Sequence, residues 1–216
     1  ITSPHPDDDI IGCGGIMQLF PNKNNVKICY MTNGVGGIKN NKNYDNNIRI
    51  KEAISSIKVL GYNQNQIINA KLPFYYNRNR NCSFNDQNQM NNILEKEEPN
   101  HIFICYDSDP NKTHDKCFSI LKKCNFPKSV KYIWLYKSAW GKWNKDEFNV
   151  KILLNENNIK NKLLAMDMHI SQEIPVVTNN DVKNFKNVIV YNSKFNMYPG
   201  KFLEKFKILK IDEYKN

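Results

Sequence analysis

The sequence predicts an α/β fold, in which helices cover both faces of a mostly parallel β-sheet. Three observations support this class. Short β-rich segments alternate with helical ones along most of the chain, an order that is typical of parallel sheets. With 216 residues, of which 40% are apolar, the chain is long enough for one domain with a substantial core. Polar loops also follow four of the predicted strands, and such loops meet at one edge of a parallel sheet.

The β-rich and helical segments can be placed one by one. We expect strands at residues 1–3, 26–32, 66–72, 101–106, 130–137 and 148–154. We expect helices at residues 14–20, 46–60, 86–97, 114–123 and 157–169. In the second of these helices, apolar residues such as Ala53 and Ile57 recur at helical spacing, and Gly61 provides a stop signal. Residues 183–216 show no clear pattern and are left unassigned.

The composition argues against several classes of protein. The 31 Lys and Arg residues exceed the 21 Asp and Glu residues, and the net charge of +10 favours anionic partners. The lysines are scattered among asparagine-rich loops rather than aligned on one face, so nucleic acid is not an expected partner. The six cysteines include no C-x-x-C pair, which excludes a zinc finger, and their apolar surroundings suit a reducing compartment. No apolar run is long enough to span a bilayer.

The first loop, SPHPDDDIIGCGG at residues 3–15, contains three consecutive aspartates. Adjacent carboxylates repel one another unless a cation or a protonated partner neutralises them, so the loop is a metal site, a phosphate site or a polar turn. His5 and Asp8 can face the same cation, and His114, which also follows a strand, is the natural third ligand. This set suits Zn²⁺ or another divalent metal and leaves a position for water. Asp7 is then placed to act on that water as a general base.

The remaining candidate residues carry weaker signals. The segment TNGVGG at residues 32–37 is a candidate phosphate- or nucleotide-binding loop, but the chain lacks both the P-loop Lys-Ser/Thr and a G-x-G-x-x-G at the first βα turn. His101 opens an apolar strand and is expected to be structural or exposed. His169, at the end of a predicted helix, fits a surface or capping position as well as a functional one.

Several segments resemble the PIG-L/LmbE-like zinc-dependent de-N-acetylases, and most closely the LmbE-like domain fused to glucosamine-6-phosphate deaminase domains. The matching segments are SPHPDDDIIGCGG, TNG, RIKEA with LGY, LPFYY, SDPNKTH, WLYKSAW and AMDMHISQ. Together they extend over nearly the whole chain. The resemblance implies a Rossmann-like α/β fold, a single domain over residues 1–216, and hydrolysis of an N-acetyl group from an N-acetylglucosamine-type sugar.

The resemblance also implies roles for individual residues. The three ligands and the general base named above match the family's metal-binding motifs. Arg49 and Glu52 match its R-x-x-E motif, in which the arginine would contact an anionic substrate. His169 and Gln172 match its H-x-S-Q motif near the active site. We therefore assign Arg49, Glu52 and Gln172 to substrate binding.

One position departs from the family's pattern. The family usually has a histidine three residues before the last ligand, where it is thought to stabilise the tetrahedral oxyanion, and here that residue is Asn111. Losing an oxyanion donor typically slows a reaction about a hundred- to a thousandfold. Two hypotheses follow. The chain is a slow enzyme in which Asn111 or His169 serves as the donor, or it is a metal-binding but catalytically impaired regulatory domain attached to a deaminase-like partner.

The resemblance also sets expectations about substrate and context. The expected substrate is a small, anionic amino sugar, either a sugar phosphate or a glycosylphosphatidylinositol precursor. The chain opens inside a predicted strand without an initiator Met, so we expect it to be excised from a longer chain. A fused or upstream domain and a homo-oligomer are left open. The expected location is the cytoplasm, or the cytoplasmic face of the endoplasmic reticulum if an anchor precedes the chain.

Overall fold

The structure, a computed structural model, describes residues 1–37, 45, 47–77, 81–172, 176–178, 181–183 and 202–215. The strands are β1 (Thr2–Ser3), β2 (Ile28–Tyr30), β3 (Ile67–Asn69), β4 (His101–Cys105), β5 (Tyr132–Tyr136), β6 (Val150–Leu154), β7 (Val176–Thr178), β8 (Asp181–Lys183) and β9 (Phe202–Lys210). The helices are α1 (Asp8–Cys13), α2 (Ile16–Leu19), α3 (Ile48–Val59), α4 (Phe84–Glu97), α5 (Thr113–Lys123), α6 (Glu156–Asp167) and α7 (Ile211–Lys215).

The strands predicted in the first two-thirds of the chain form a parallel arrangement. Strand β2 pairs in parallel with β1 on one side and β3 on the other, and β4 pairs in parallel with β5. The hydroxyl of Thr2 in β1 donates to the carbonyl of Phe103 in β4 at 2.8 Å, which places the two groups of strands side by side. The two groups are separate ladders that lie next to each other at β1 and β4, and their combined order, β3-β2-β1-β4-β5, is that of a Rossmann-like fold. The predicted α/β class is therefore confirmed.

Helices pack on both faces of this sheet, as the fold class requires. Side chains alternate between the two faces along β4, because successive residues of a strand point in opposite directions. Phe103 and Cys105 belong to one apolar cluster, together with residues of α1, α3 and α6. Ile102 and Ile104 belong to a second cluster, together with residues of α4 and α5.

The last part of the sheet is antiparallel, which the sequence did not indicate. Strand β9 lies between β5 and β6 and pairs antiparallel with both, and β7 and β8 form a separate antiparallel pair. The sequence of β9, FLEKFKILK, contains three lysines and a glutamate and does not look like a central strand. Its glutamate, Glu204, is nevertheless 5% exposed, because it binds a buried lysine.

That buried ion pair joins three parts of the chain. Lys162 Nζ in α6 lies 2.6 Å from Glu204 Oε1, and both side chains are almost fully buried. The same carboxylate accepts hydrogen bonds from the backbone N–H groups of Gly15 and Ile16 at 2.7 and 2.8 Å, at the start of α2. A carboxylate at a helix N-terminus is favourable because the N–H groups there have no partner within the helix. Glu204 thus connects β9 to both helices.

The observed helices include one that was not predicted and two whose bounds differ clearly from the expected ones. Residues that we read as part of the first loop form α1, which has two aspartates in its first turn, where negative charge is favourable. The helix expected at 14–20 is reduced to α2, because Pro21 disfavours a helical conformation of Phe20. The helix expected at 157–169 ends at Asp167, so His169 lies beyond it. Residue 46 of the expected helix at 46–60 lies outside the described residues.

None of the helices in the described ranges is both long enough and apolar enough to cross a membrane.

Candidate metal centre

Two neighbouring strands bring the three candidate ligands together. His5 and Asp8 follow β1, where the backbone N–H of His5 donates to Asp8 Oδ2 at 2.8 Å and closes a tight turn. His114 lies in the first turn of α5, after the loop that leaves β4, and its own N–H donates to Asp109 Oδ1 at 3.0 Å. Because β1 lies beside β4, both loops reach the same edge of the sheet.

The three ligand atoms form a nearly equilateral triangle. His5 Nδ1 lies 3.2 Å from Asp8 Oδ2, and His114 Nε2 lies 3.1 Å from each of these atoms. Two ligand atoms bound tetrahedrally to zinc at about 2.1 Å are about 3.4 Å apart, so the triangle needs only a small expansion to hold an ion. Two imidazole nitrogens and one carboxylate oxygen are also a donor set that zinc favours. These residues therefore fit a divalent metal.

Burial and mutual contact determine the charges of the ligands. Burial alone would raise the pKa of Asp8, but the two histidines hold it well below its ordinary value. Burial would likewise lower the pKa of His114, but Asp8, Cys105 and Asp107 together raise it. The acidic groups around His114 thus favour a positive charge at this place. A metal ion would supply that charge, and each bound imidazole would offer it a free nitrogen lone pair.

Asp7, the candidate general base, is held by a buried arginine. Its Oδ2 lies 2.8 Å from Nη2 of Arg49, and both side chains are almost fully buried. Arg49 Nη1 donates to the carbonyl of Gly34 at 2.7 Å, which fixes the guanidinium in place. Burial raises the pKa of Asp7, and the positive charge of Arg49 opposes that rise. Arg49 therefore contacts the candidate base, whereas the resemblance had suggested contact with an anionic substrate.

Asp9, the third aspartate of the run, points away from the candidate ligands. Its Oδ2 accepts a hydrogen bond from the hydroxyl of Tyr30 at 3.1 Å, and its backbone N–H donates to Ser3 Oγ at 3.0 Å. Burial raises the pKa of Asp9 to about 7, although the hydrogen bond from Tyr30 works against the rise. At neutral pH this carboxyl is therefore partly protonated, which reduces the repulsion among the three aspartates.

Asp107 contacts a candidate ligand, and the sequence analysis missed it. Its Oδ1 lies 2.7 Å from Nδ1 of His114, the ring nitrogen that faces away from the triangle. The same oxygen accepts from the thiol of Cys105 at 2.9 Å. The signal that could have revealed Asp107 is its position immediately after β4 and Tyr106, at the same sheet edge as the other polar loops.

Cys105, Asp107 and His114 are also close enough to be considered as a second metal site. The His114 nitrogen in that group, Nδ1, is already engaged with Asp107, however. A metal-binding histidine commonly donates its second N–H to a carboxylate, which fixes its tautomer and its orientation. The arrangement is therefore better explained as a support that orients His114 than as a second metal site.

The R-x-x-E and H-x-S-Q segments contact each other directly. The side chains assigned to substrate binding, Glu52 and Gln172, make hydrogen bonds within the protein. Glu52 in α3 accepts from the backbone N–H of Ser171 at 2.8 Å and from its hydroxyl at 2.7 Å. Gln172 Nε2 donates to the same hydroxyl at 3.2 Å. Glu52 thus anchors the turn at 170–172 to α3, and Gln172 is half-buried beside it.

The two candidate oxyanion donors differ sharply in exposure. Asn111 is exposed in the turn before α5, where its N–H lies 3.3 Å from Asp109 Oδ2. His169 is 1% exposed, and neither of its ring nitrogens has a hydrogen-bond partner among the described residues. Burial, with a further contribution from Arg49, lowers the pKa of His169 to about 3. His169 is therefore neutral at physiological pH. The fourth histidine, His101, accepts a hydrogen bond from Trp134 Nε1 and lies at the start of β4, whereas the loop that leads to His114 leaves its other end.

The segment TNGVGG supports the first loop. Thr32 Oγ1 donates to the carbonyl of Pro4 at 2.7 Å, and the N–H of Gly34 donates to the same Oγ1 at 3.2 Å. Thr32, Asn33, Gly34 and Val35 are all buried. These contacts account for the segment without a phosphate or a nucleotide.

Comparison with known protein families identifies the chain's relatives. The model of the PIG-L family, described as GlcNAc-PI de-N-acetylase, matches residues 1–125, which include all the candidate ligands and the candidate base. The chain belongs to the PIG-L family. A glucosamine-6-phosphate deaminase-like protein of Bacteroides thetaiotaomicron is 24% identical over 233 aligned positions, which cover 80% of this chain. This chain spans only 35% of that relative's length.

Solved structures of deacetylases share the fold of this PIG-L chain. The N,N'-diacetylchitobiose deacetylase of Pyrococcus horikoshii has a TM-score of 0.64 at 20% identity, over 96% of this chain and 82% of that one. The zinc-inhibited form of teicoplanin deacetylase has a TM-score of 0.68 at 14% identity, over 98% of both chains. At these identities the similarity shows the fold alone.

Proposed function

We propose that this PIG-L chain is a metal-dependent hydrolase that removes the N-acetyl group from an N-acetylglucosamine-type sugar. The observation that carries the proposal is the triangle of His5, Asp8 and His114. Asp7, the candidate base, immediately precedes Asp8 in the sequence. The family match over the same residues and the deacetylases among the structural neighbours support the reaction class.

Each of the chain's own residues has a distinct task in this reaction. Asp7, which Arg49 holds, accepts a proton from the attacking water as the water's oxygen bonds to the acetyl carbon. The same carboxyl then gives this proton to the departing nitrogen when the C–N bond breaks. The products are acetate and the free amino sugar.

The three candidate ligands would hold the metal, for which zinc is the first choice. A divalent cation at this point supplies Lewis acidity, which polarises a carbonyl and lowers the pKa of a water molecule. The ligands contribute one negative charge, from Asp8, and two neutral imidazoles, so the positive charge of the ion is only partly neutralised. This favours the ion's role as a Lewis acid.

The substrate is proposed to be an amino sugar that carries an anionic group. The net charge of +10 favours such a partner, and the family's description names an inositol phospholipid-linked sugar. A soluble sugar phosphate shares this chemistry. The proposed location is the cytoplasm, or the cytoplasmic face of the endoplasmic reticulum if an anchor precedes the chain.

The test is acetate release from a panel of N-acetylglucosamine compounds: a sugar phosphate, a phosphatidylinositol-linked sugar and a chitobiose. Zinc is supplied at one equivalent, since teicoplanin deacetylase has a zinc-inhibited form. We expect the wild type to release acetate from at least one of them. Asp7→Asn should bind the metal without turnover, and His114→Ala should lose the metal. Wild-type rates from Asp7→Asn would show that Asp7 is not the base.

A second function is favoured by two observations at the oxyanion position. Asn111 replaces the usual histidine, and His169 is buried and neutral, so neither supplies an imidazolium. We therefore keep, as the alternative, a metal-binding domain with impaired catalysis that regulates a deaminase-like partner. Full metal binding with no acetate release from any compound of the panel would favour this alternative.

A further inference from the structure

We propose that the turn at residues 138–141, directly after β5, is the outer support of the metal centre and positions two of the three ligands. The inference depends on the metal site proposed above and deepens it. None of the residues in this turn was singled out as a site residue by the sequence analysis. Only residues 138–140 (S-A-W) fell within a segment that resembles the family, and Gly141 lies just after it.

The first contact of the turn is with Asp8. The hydroxyl of Ser138 donates a hydrogen bond to Asp8 Oδ1. Ser138 is fully buried and Asp8 is 3% exposed, so water does not compete for this contact. The serine engages one carboxylate oxygen and leaves the other, Oδ2, to face the two histidines. Ser138 therefore sets which oxygen of Asp8 is presented to the ion.

The second contact reaches His114 through Asp107. The backbone N–H groups of Ser138 and Gly141 both donate to Asp107 Oδ2 at 2.9 Å. The other oxygen, Oδ1, faces Nδ1 of His114 at 2.7 Å and the thiol of Cys105 at 2.9 Å. Four donors thus surround one buried carboxylate. With its orientation fixed, Asp107 holds the proton of His114 on Nδ1 and leaves Nε2 free for the ion.

The absence of a side chain at residue 141 is part of this support. A Cβ atom placed on Gly141 would lie 2.4 Å from Cβ of Asp107 and 2.7 Å from Cδ of Lys137. The first of these contacts is with an atom next to the backbone, which has little freedom to move. A larger residue would push the N–H of residue 141 away from Asp107, so glycine is needed for the close approach.

The position of the turn follows from the sheet. Strand β5 pairs in parallel with β4, and this ladder continues beyond the strands, where the N–H of Tyr106 donates to the carbonyl of Tyr136 at 2.7 Å. The turn after β5 and the Asp107 loop after β4 therefore leave the sheet side by side. The support is built on the regular part of the fold rather than on a free loop.

The experiment measures zinc affinity directly, by competition with a chromophoric chelator. Ser138→Ala removes the hydroxyl and keeps the backbone N–H, so it tests the contact with Asp8 alone. Asp107→Asn and Gly141→Ala test the contact with His114. Removing a group that orients a metal ligand typically weakens affinity about 10- to 100-fold, and we expect a loss in this range for each variant.

Ser56→Ala is the matched control. Ser56 is also a fully buried serine, and its hydroxyl donates to the carbonyl of Ala165 at 2.7 Å, between α3 and α6. It should change stability without changing zinc affinity. A second readout is the visible spectrum of the Co²⁺-substituted protein, which reports ligand geometry and should change in Ser138→Ala and Asp107→Asn but not in the control.

The outcomes separate this inference from the proposed function. Wild-type zinc binding with unchanged affinity and spectra in Ser138→Ala and Asp107→Asn would overturn the inference and leave the metal site standing. If the wild type itself binds no zinc, both are overturned. Gly141→Ala is the variant most at risk of not folding, and in that case the other two variants decide.

Discussion

Replacing Gly34 by alanine tests how the structure holds the candidate base. Gly34 has φ of +66°, in the left-handed region that side chains rarely adopt. A Cβ atom there would lie 2.3 Å from Nη1 of Arg49, the atom that donates to the carbonyl of Gly34 itself. The methyl group would therefore strain the backbone and also push Arg49 away from Asp7.

The two effects have different magnitudes. Left-handed backbone costs a residue with a side chain about 1–2 kcal/mol. Breaking a buried ion pair by removing one partner costs about 3–5 kcal/mol. Because Gly34→Ala displaces Arg49 without removing it, we expect this second cost to be smaller. We therefore expect the free energy of unfolding to fall by about 2–5 kcal/mol. We also expect kcat to fall, because Asp7 loses the group that orients it, while zinc affinity stays near that of the wild type.

Gly61→Ala is the control for the backbone effect. Gly61 has φ of +83°, and the nearest atom to its added Cβ is Nζ at the far end of the Lys23 side chain, at 3.0 Å. It should lose only about 1–2 kcal/mol and keep its full kcat. The assay is urea denaturation of both variants, together with initial rates and zinc titration. Equal losses of stability and equal kcat values in the two variants would refute the role assigned to Gly34.

Three further predictions concern other parts of the molecule. Lys162→Met leaves the buried carboxylate of Glu204 without its cation, so we expect the free energy of unfolding, measured by urea denaturation, to fall by about 3–5 kcal/mol. A loss under about 1 kcal/mol would contradict the pairing. Asn111→His introduces the imidazole that we propose as the missing oxyanion donor, and it should raise kcat by up to about a hundredfold, with little change in KM in initial-rate measurements. An unchanged kcat would argue against a missing donor. Burial lowers the pKa of His169 from an ordinary 6.5 to about 3. Between these pH values the unfolded state binds more protons than the folded state, so the free energy of unfolding falls as the pH falls. Urea midpoints at pH 5 and pH 7.5 should therefore differ less in His169→Gln than in the wild type, and an equal difference would show that His169 does not titrate as described.

The sequence was sufficient for the features that depend on local pattern. The first five strands and helices α3, α4 and α5 follow from apolar periodicity. His5, Asp8 and His114 could be grouped because each follows a strand of a parallel sheet. Strand β9 could not be predicted, because its polarity makes sense only once Glu204 is known to meet Lys162, 42 residues earlier in the chain.

The supporting residues of the site were missed for a related reason. Asp107 is held by backbone N–H groups 31 and 34 residues away, and a backbone group leaves no mark in the sequence. The contact of Arg49 with Asp7 was also not foreseeable, since the helical pattern of α3 does not identify the partner of a side chain. Which carboxylate it meets depends on how α3 packs against the first loop.

The three aspartates that open the chain's first helix can coexist because each one meets a different partner. Asp7 precedes α1, whereas Asp8 and Asp9 are its first two residues. Successive side chains of a helix point about 100° apart. The three carboxylates therefore diverge: Asp7 to Arg49, Asp8 to the histidines and Ser138, and Asp9 to Tyr30. A flexible loop could not keep the carboxylates apart in this way. The helical start of α1 is thus what allows a candidate base, a candidate metal ligand and a structural carboxyl to occupy consecutive positions.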